Sequence, residues 1–337
     1  MKMNNNDQIT VMIPTYNRKE WLIQLLEGLK NQTCQRFNIV ISDNCSNYDV
    51  KADISYYIDY FGERLDIYLR RDNVGSTVNI NGVFSMVKTK WGWLMGDDDC
   101  PLENAVRTIY EYLDDNVAAL HFSLYQLDYF IKDYKDVKNL QEFIDLYWEM
   151  SNGENEIVNL QGDLIFMSNK VYNLDIMRKY LFQQNTYGYT CVPQMVSILS
   201  MLDKNEATFR TVNKNIVIAA DSSNQSWKMT NIALGMSTFT HIKFHLTEEQ
   251  RRKLNLIIMF KYTHVLRYRL QGEVSRYDIG LIYDGIFKRS LWIKQRLIFN
   301  ILMRINPQGF SAKKIVAYKN RNIQVPEINE DNRSENE

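Results

Sequence analysis

Five short apolar runs punctuate the first part of the chain: Ile9–Ile13, Phe37–Ile41, Leu65–Leu69, Trp91–Met95 and Ala118–Leu124. Their starts lie 28, 28, 26 and 27 residues apart, close to the ~30 residues of one strand–helix–strand unit. Between the runs the apolar positions change period. Trp21, Leu22, Leu25, Leu26 and Leu29 recur every three or four residues, as one helix face requires. Ile80, Val83, Phe84 and Val87 form a second stripe. Val106, Ile109, Tyr110 and Leu113 form a third, opened by Pro101 and Glu103. Asn17 with Glu20 three residues later reads as a variant capping box at the first helix. Strands alternating with helices predict an α/β fold on a mostly parallel, doubly wound sheet.

After residue 125 the pattern is weaker and more aromatic. Leu164–Met167 and Ile216–Ala219 read as further strands, with helices near 171–182 and 192–203. Past about residue 230 three amphipathic helical stretches follow, near 248–270, 277–289 and 291–304. The acidic end at 322–337 reads as disordered.

Composition narrows the class. Hydrophobic residues at 45% and aromatics at 12% supply enough surface to bury, so disorder as the main state is excluded. The polar start lacks the apolar core of a signal peptide, and the longest apolar runs fall far short of the ~20 residues that span a bilayer. Cys34, Cys45, Cys100 and Cys191 show no paired spacing, which argues against a disulfide framework or a zinc site and fits a reducing compartment. A cytoplasmic location is therefore expected. The net charge of zero hides an asymmetry: from Arg251 to Arg321 there are 16 Lys/Arg against 3 Asp/Glu. A basic C-terminal region on an acidic body is a statement about partners rather than fold.

In an open parallel sheet, ligands bind beyond the carboxyl ends of the strands. Here those ends are followed by Pro14, Thr15, Tyr16, Asn17 and Arg18; by Ser42, Asp43, Asn44, Cys45 and Ser46; by Arg71, Asp72, Asn73, Val74 and Gly75; and by Gly96, Asp97, Asp98 and Asp99. Any one such cluster could be a turn, because these residue types favour turns. Four at the ends of successive strands point to a site. Three adjacent carboxylates repel and raise one another's pKa unless a cation lies among them. Hard oxygen ligands suit Mg²⁺ or Mn²⁺, held by one or two carboxylates together with ligand phosphates.

The segments VMIPTYNR, ISDNCS, RRDNVGSTVNINGVF and WGWLMGDDD, in this order and spacing, resemble the nucleotide-sugar half of family-2 glycosyltransferases of GT-A fold. The resemblance covers about residues 8–125 and is closest to bacterial enzymes that build O-antigen, capsule and similar polysaccharides. It implies a nucleotide-sugar donor, most often a UDP-sugar, and a glycan or lipid-linked oligosaccharide acceptor. It implies that Pro14–Arg18 line the nucleotide with Asn44 and Ser46 nearby, that Asp43 receives the base, and that Asn73, Gly75 and Asn79 shape the pocket. It implies a metal held by a DXD-type motif. Gly96 stands where the usual motif begins with Asp, so Asp98 and Asp99 are the expected metal ligands and Asp97 lies near the ribose. The resemblance also favours inversion at the sugar.

The family often places a Glu-Asp pair some 90 residues beyond that motif to supply the base. Here the neighbourhood reads TYGYTCVPQMV, with no carboxylate from Thr186 to Leu202. Asp163 and Asp221, each beside an expected strand, are the alternative candidates for deprotonating the acceptor. The expected organisation is a nucleotide-sugar half at 1–125, an acceptor half at 126–230, a basic helical region at 231–321 and the acidic tail. The basic region is expected to meet an anionic membrane surface.

Two other classes fit the sequence less well. A nucleotidyltransferase also sets carboxylates beyond a parallel sheet, but Thr15–Arg18 has no glycine for a triphosphate loop. A nucleic-acid protein would use the basic region, yet the signatures of the common modules are absent, so no nucleic acid partner is expected. His241 and His245, four residues apart, lack a supporting third ligand, and Trp91, Trp93, Met195 and Met201 read as core.

Overall fold

The computed structural model describes residues 8–157, 160–220 and 234–258, with Tyr277, Gly280, Leu281, Asp284, Arg296 and Leu297 as single positions. Asp221, the helical stretches beyond residue 258 and the acidic tail lie outside these described residues, apart from those single positions.

All five expected strands form: β1 (Ile9–Thr15), β2 (Phe37–Asp43), β3 (Leu65–Leu69), β4 (Trp91–Leu94) and, after the two-residue β5 (Cys100–Pro101), β6 (Val117–Phe122). With β7 (Tyr134–Val137), β8 (Lys170–Asn173) and β9 (Thr208–Val212) they make an eight-stranded sheet in the order β3-β2-β1-β4-β8-β6-β9-β7. β10 (Val217–Ile218) pairs with β5 in a separate two-stranded ribbon. The first four strands are parallel. β8 enters antiparallel between β4 and β6, and β7 is an antiparallel edge beside β9.

The strand-end register follows from parallel pairing. Thr15 faces Asp43, and Asp43 faces Leu69, so three strands finish level on one rim. Alternation along β1 sends Ile9, Val11 and Ile13 into one core and Met12 into the other. The first core receives Leu22, Leu25, Leu26 and Leu29 from the helix Lys19–Lys30, and Val106 and Ile109 from the helix Ala105–Tyr112. Each such buried aliphatic side chain contributes roughly 1.5–3 kcal/mol. The second core takes Val83 and Phe84 from the helix Ser76–Met86, and the buried faces of Leu140–Asn152, Pro193–Asp203 and Glu248–Ile258. Trp91, Trp93, Met195 and Met201 are core, as expected.

Several local expectations are corrected. Asn17 does not cap: the first helix starts after Arg18 with no side-chain cap, and Asn17, at φ 54°, bonds across to the next loop instead. Pro101 does not open the third helix, because it is drawn into the ribbon with β10, and Asn104 precedes the helix. The segment 164–167 is not a strand. Leu160–Ile165 is helical and the strand follows at Lys170–Asn173, inside the stretch expected to be helical from 171. The ladders to β4 and β6 overrode local preference there.

Candidate active site

The four polar loops meet at the rim and are bonded to one another. Asn17 N–H donates to Ser46 Oγ (2.8 Å), and Asn47 N–H donates to Asn17 Oδ1 (2.8 Å). Thr15 Oγ1 donates to Asp97 Oδ2 at 2.7 Å. Arg18 Nη1 reaches Asp97 Oδ1 at 3.4 Å and forms a closer pair with Asp98 Oδ2. Asn44 Nδ2 donates to Asn73 Oδ1 (2.9 Å), which also accepts the Gly75 N–H (2.8 Å). Gly75 sits at φ 85°, a conformation that favours glycine, and leads into the helix Ser76–Met86.

Asp43 is buried, and its carboxylate receives Ser46 N–H at 3.0 Å and Ser46 Oγ–H at 2.5 Å. Asn79 is also buried. Its Oδ1 accepts from Ser42 Oγ (2.7 Å) and Arg70 Nε (2.8 Å), and its Nδ2 donates to Ser42 O (2.8 Å). It thus ties β2 to the loop after β3 and the helix that follows. Tyr16 is 42% exposed and presents a ring at the rim.

The carboxylate triple is held from several sides. Asp99 Oδ2 accepts from Ser168 Oγ and its Oδ1 accepts the Ala220 N–H at 3.0 Å. Burial pushes the Asp99 carboxyl up to about 6 against the pull of Ser168 and Ala220. Burial likewise pushes Asp97 up to about 6 against Thr15 and Arg18. The raised values therefore come first from lost hydration, and the neighbouring Asp98 charge is a lesser cause.

Gly96 leaves room beneath two of the carboxylates. A Cβ at this position would lie 2.8 Å from Asp99 Oδ2 and 3.1 Å from Asp98 Oδ1. The two carboxylates therefore converge over bare backbone. Among the described residues no three His, Cys, Asp or Glu side chains form a metal cluster. A pair of carboxylates whose remaining positions fall to phosphate and water suits Mg²⁺ or Mn²⁺, so the residues present fit such an ion.

The base candidates separate. Asp163 is 1% exposed in the helix Leu160–Ile165. Its oxygens accept from Ser123 Oγ (3.0 Å), Leu124 N–H (2.9 Å) and Asn169 Nδ2 (2.8 Å), and His121 Nε2 lies 3.2 Å away. Burial raises its pKa, but His121, the Leu124 N–H and Lys170 outweigh burial and hold it below the usual carboxylate range. The sequence reading put Asp163 just before a strand as a candidate base, whereas the structure seals it inside a helix. Asp221 lies outside the described residues, but its chain neighbour Ala220 touches Asp99. Ser168 is a site residue that the sequence reading missed. The short Ser–Asn–Lys run carries no local signal, and only the insertion of β8 brings it to Asp99.

A cleft of about 510 Å³ lies beside the rim, lined by Thr77, Val78, Asn81, Asn185, Gly188 and Tyr189. The carboxylate-free segment after Thr186 therefore faces the helix that follows Gly75. His245 Nδ1 pairs with Asp203 at 2.9 Å, which answers the second histidine of the 241/245 pair without a metal.

A mostly parallel sheet with four polar strand-end loops on one rim is the GT-A fold. Comparisons with known proteins agree. The fold matches S. aureus TarS 1–349 in complex with UDP, with a TM-score of 0.57 at 14% identity, over 88% of this chain and 86% of that one. An uncharacterized glycosyltransferase of Haemophilus influenzae is 22% identical over 309 residues, 89% of this chain and 96% of that protein. Abequosyltransferase RfbV of Salmonella typhimurium is 33% identical over 111 residues, 32% of each chain. The model of glycosyl transferase family 2 matches residues 10–180. The chain belongs to glycosyl transferase family 2 and is a glycosyltransferase.

Proposed function

We propose that this enzyme moves a sugar from a UDP-sugar to a glycan or lipid-linked oligosaccharide acceptor in bacterial surface-polysaccharide synthesis, with inversion at the anomeric carbon. The observation that carries the reading is the bonded rim, in which Thr15, Arg18, Asn44 and Asn73 tie four strand-end loops around Asp43 and Asp97–Asp99. The UDP bound in TarS and the teichuronic acid biosynthesis named for the putative glycosyltransferase TuaG of Bacillus subtilis support the donor and pathway class.

Asp43 accepts the N–H of the base, because an ionised carboxylate is acceptor-only. Tyr16, Asn73 and Gly75 wall the nucleotide, and Asp97, held by Thr15 and Arg18, faces the ribose. Asp98 and Asp99 hold one Mn²⁺ or Mg²⁺, which when bound offsets charge building on the leaving nucleoside diphosphate. Arg18 balances the carboxylates on the protein side. The cleft between Thr77 and Tyr189 takes the acceptor sugar; its lining has no charged side chain, which suits a neutral sugar. Asp221 is the better base candidate, because Asp163 has no path to an acceptor hydroxyl while Ala220 adjoins Asp99.

The basic stretch 251–321 holds the enzyme at the inner face of the membrane. Among the described residues no helix is long and apolar enough to cross it, and each Lys or Arg near anionic lipid contributes ~1 kcal/mol. Sedimentation with anionic vesicles at low and high salt checks this, since a chain ending after the core helix at Ile258 should stay in the supernatant. The donor reading is tested by calorimetry and hydrolysis assays with UDP-, CDP-, GDP- and dTDP-sugars, with and without Mn²⁺. UDP-sugars should bind tightest, with Mn²⁺ strengthening them. Metal-independent binding would remove the metal from the reading, and a preference for nucleoside triphosphates would overturn it in favour of a nucleotidyltransferase.

A further inference from the structure

The loop before β8 does more than connect two elements. Ser168 is fully buried, and its single hydroxyl spans the Gly96–Asp99 turn. The proton goes to Asp99 Oδ2, and a lone pair accepts the Gly96 N–H at 2.8 Å. The turn closes on itself through Asp99 N–H to Gly96 O at 3.2 Å. One side chain therefore sets both where the turn begins and how the Asp99 carboxylate is rotated. With Ala220 on the other oxygen, each Asp99 oxygen has one donor and keeps lone-pair capacity to spare.

Ser168 is in turn held from the interior. Its carbonyl accepts Trp93 Nε1–H at 2.7 Å. The next carbonyl, Asn169 O, accepts Phe122 N–H at 2.8 Å. Asn169 Nδ2 donates to Asp163 Oδ1 (2.8 Å), and Lys170 Nζ donates to Asn169 Oδ1 (2.8 Å) and to Phe166 O. A lysine and an aspartate sealed inside a protein are costly to desolvate in their charged forms. Here they fasten both ends of the segment 166–169, whose outward product is the Ser168 hydroxyl.

We propose that Ser168 is a positioning residue that orients Asp99 for the divalent cation, and that the Asp163–Asn169–Lys170 cluster is the anchor of the loop that presents it. This rests on the reading of Asp98 and Asp99 as metal ligands. Groups that orient a metal ligand from behind typically change metal affinity 10–100-fold when removed.

The test is calorimetric titration of UDP into the full chain with and without Mn²⁺, comparing wild type with Ser168→Ala, Ser168→Cys and Ser197→Ala. Ser197 is an equally buried serine whose hydroxyl donates to the Tyr180 and Pro193 carbonyls, so it controls for loss of a buried hydroxyl. Thermal unfolding verifies that each variant is folded. The Mn²⁺-dependent gain in UDP affinity should fall at least 10-fold in Ser168→Ala and less in Ser168→Cys, a weak donor of similar size. UDP affinity without metal should be unchanged, and Ser197→Ala should match wild type. An equal loss with and without Mn²⁺, or no loss beyond that of Ser197→Ala, overturns the role of Ser168 alone. A wild-type protein whose UDP binding ignores Mn²⁺ overturns the metal reading and this inference together.

Discussion

Aspartates in the two halves of the sheet meet opposite fates. In the first half, Asp97 and Asp99 sit at strand ends, where hydroxyls, one N–H and Arg18 reach them, and burial still drives them up to about 6. In the second half, Asp163 is more deeply buried yet is held below the usual carboxylate range by His121 and Lys170. The first half leaves its carboxylates short of positive charge. The second half meets its carboxylate with hydrogen-bond donors from Ser123, Leu124 and Asn169 and uses it to hold a loop. A buried carboxylate with little positive charge beside it is costly to keep ionised, whereas one surrounded by donors stays ionised.

The largest expected effect breaks the first side of the contrast. Asp98→Ala or Asp99→Ala should abolish transfer, a loss of more than 100-fold, while melting stays within a few degrees of wild type. Sugar-transfer assays alongside thermal unfolding check this; full activity in both variants, or in excess chelator, would remove the metal from the site. Next, Asp163→Ala should do the reverse. It strips the carboxylate from His121, Ser123, Leu124 N–H and Asn169 and should cost about 3–5 kcal/mol in urea unfolding, the range for removing one partner of a buried charged contact. A variant that loses activity but no stability would make Asp163 a reacting group after all.

Asp43→Ala sharpens the donor side. On the proposed role of Asp43, its removal should weaken UDP binding by about 1.5–3 kcal/mol, the range for hydrogen bonds to charged groups. Unchanged affinity by calorimetry would move the base elsewhere.

The smallest effect concerns pH. Burial pushes Lys170 down to about 7, against about 10.4 in an unfolded chain. Between these values the unfolded state holds the proton and the folded state does not, so this group makes stability rise with pH from about 7 toward 10. Burial also lowers His121, so its contribution is lost as pH falls below about 6.5. Lys170→Met should flatten the alkaline slope and leave the acidic one. A slope identical to wild type between pH 7.5 and 9.5 would mean that the amine stays charged when folded.

The fold of the first half was legible because its signals are local. The stripe through Leu22, Leu25, Leu26 and Leu29 and the run from Ile9 to Ile13 state their own periods, and both were found where expected. The polar strand ends were legible for the same reason: parallel strands finish on one side, so four polar loops had to share a rim. Gly96, Asp98 and Asp99 were visible as a motif, but their convergence needed coordinates. The capping expectation at Asn17 failed because a side chain with two possible partners took the one across the site, at Asn47.

By itself, the sequence determined the alternation of strand and helix, the polar rim and the charge asymmetry, since each depends on residues within one turn, one strand or one count. Only the tertiary structure decided that β8 runs backward between β4 and β6, and with it that Ser168 meets Asp99 across 69 residues and that Asp163 turns inward to His121. Such pairings are set by which distant strands lie side by side and in what register. That choice minimises the energy of the whole sheet and its two cores, so no short window of sequence contains it.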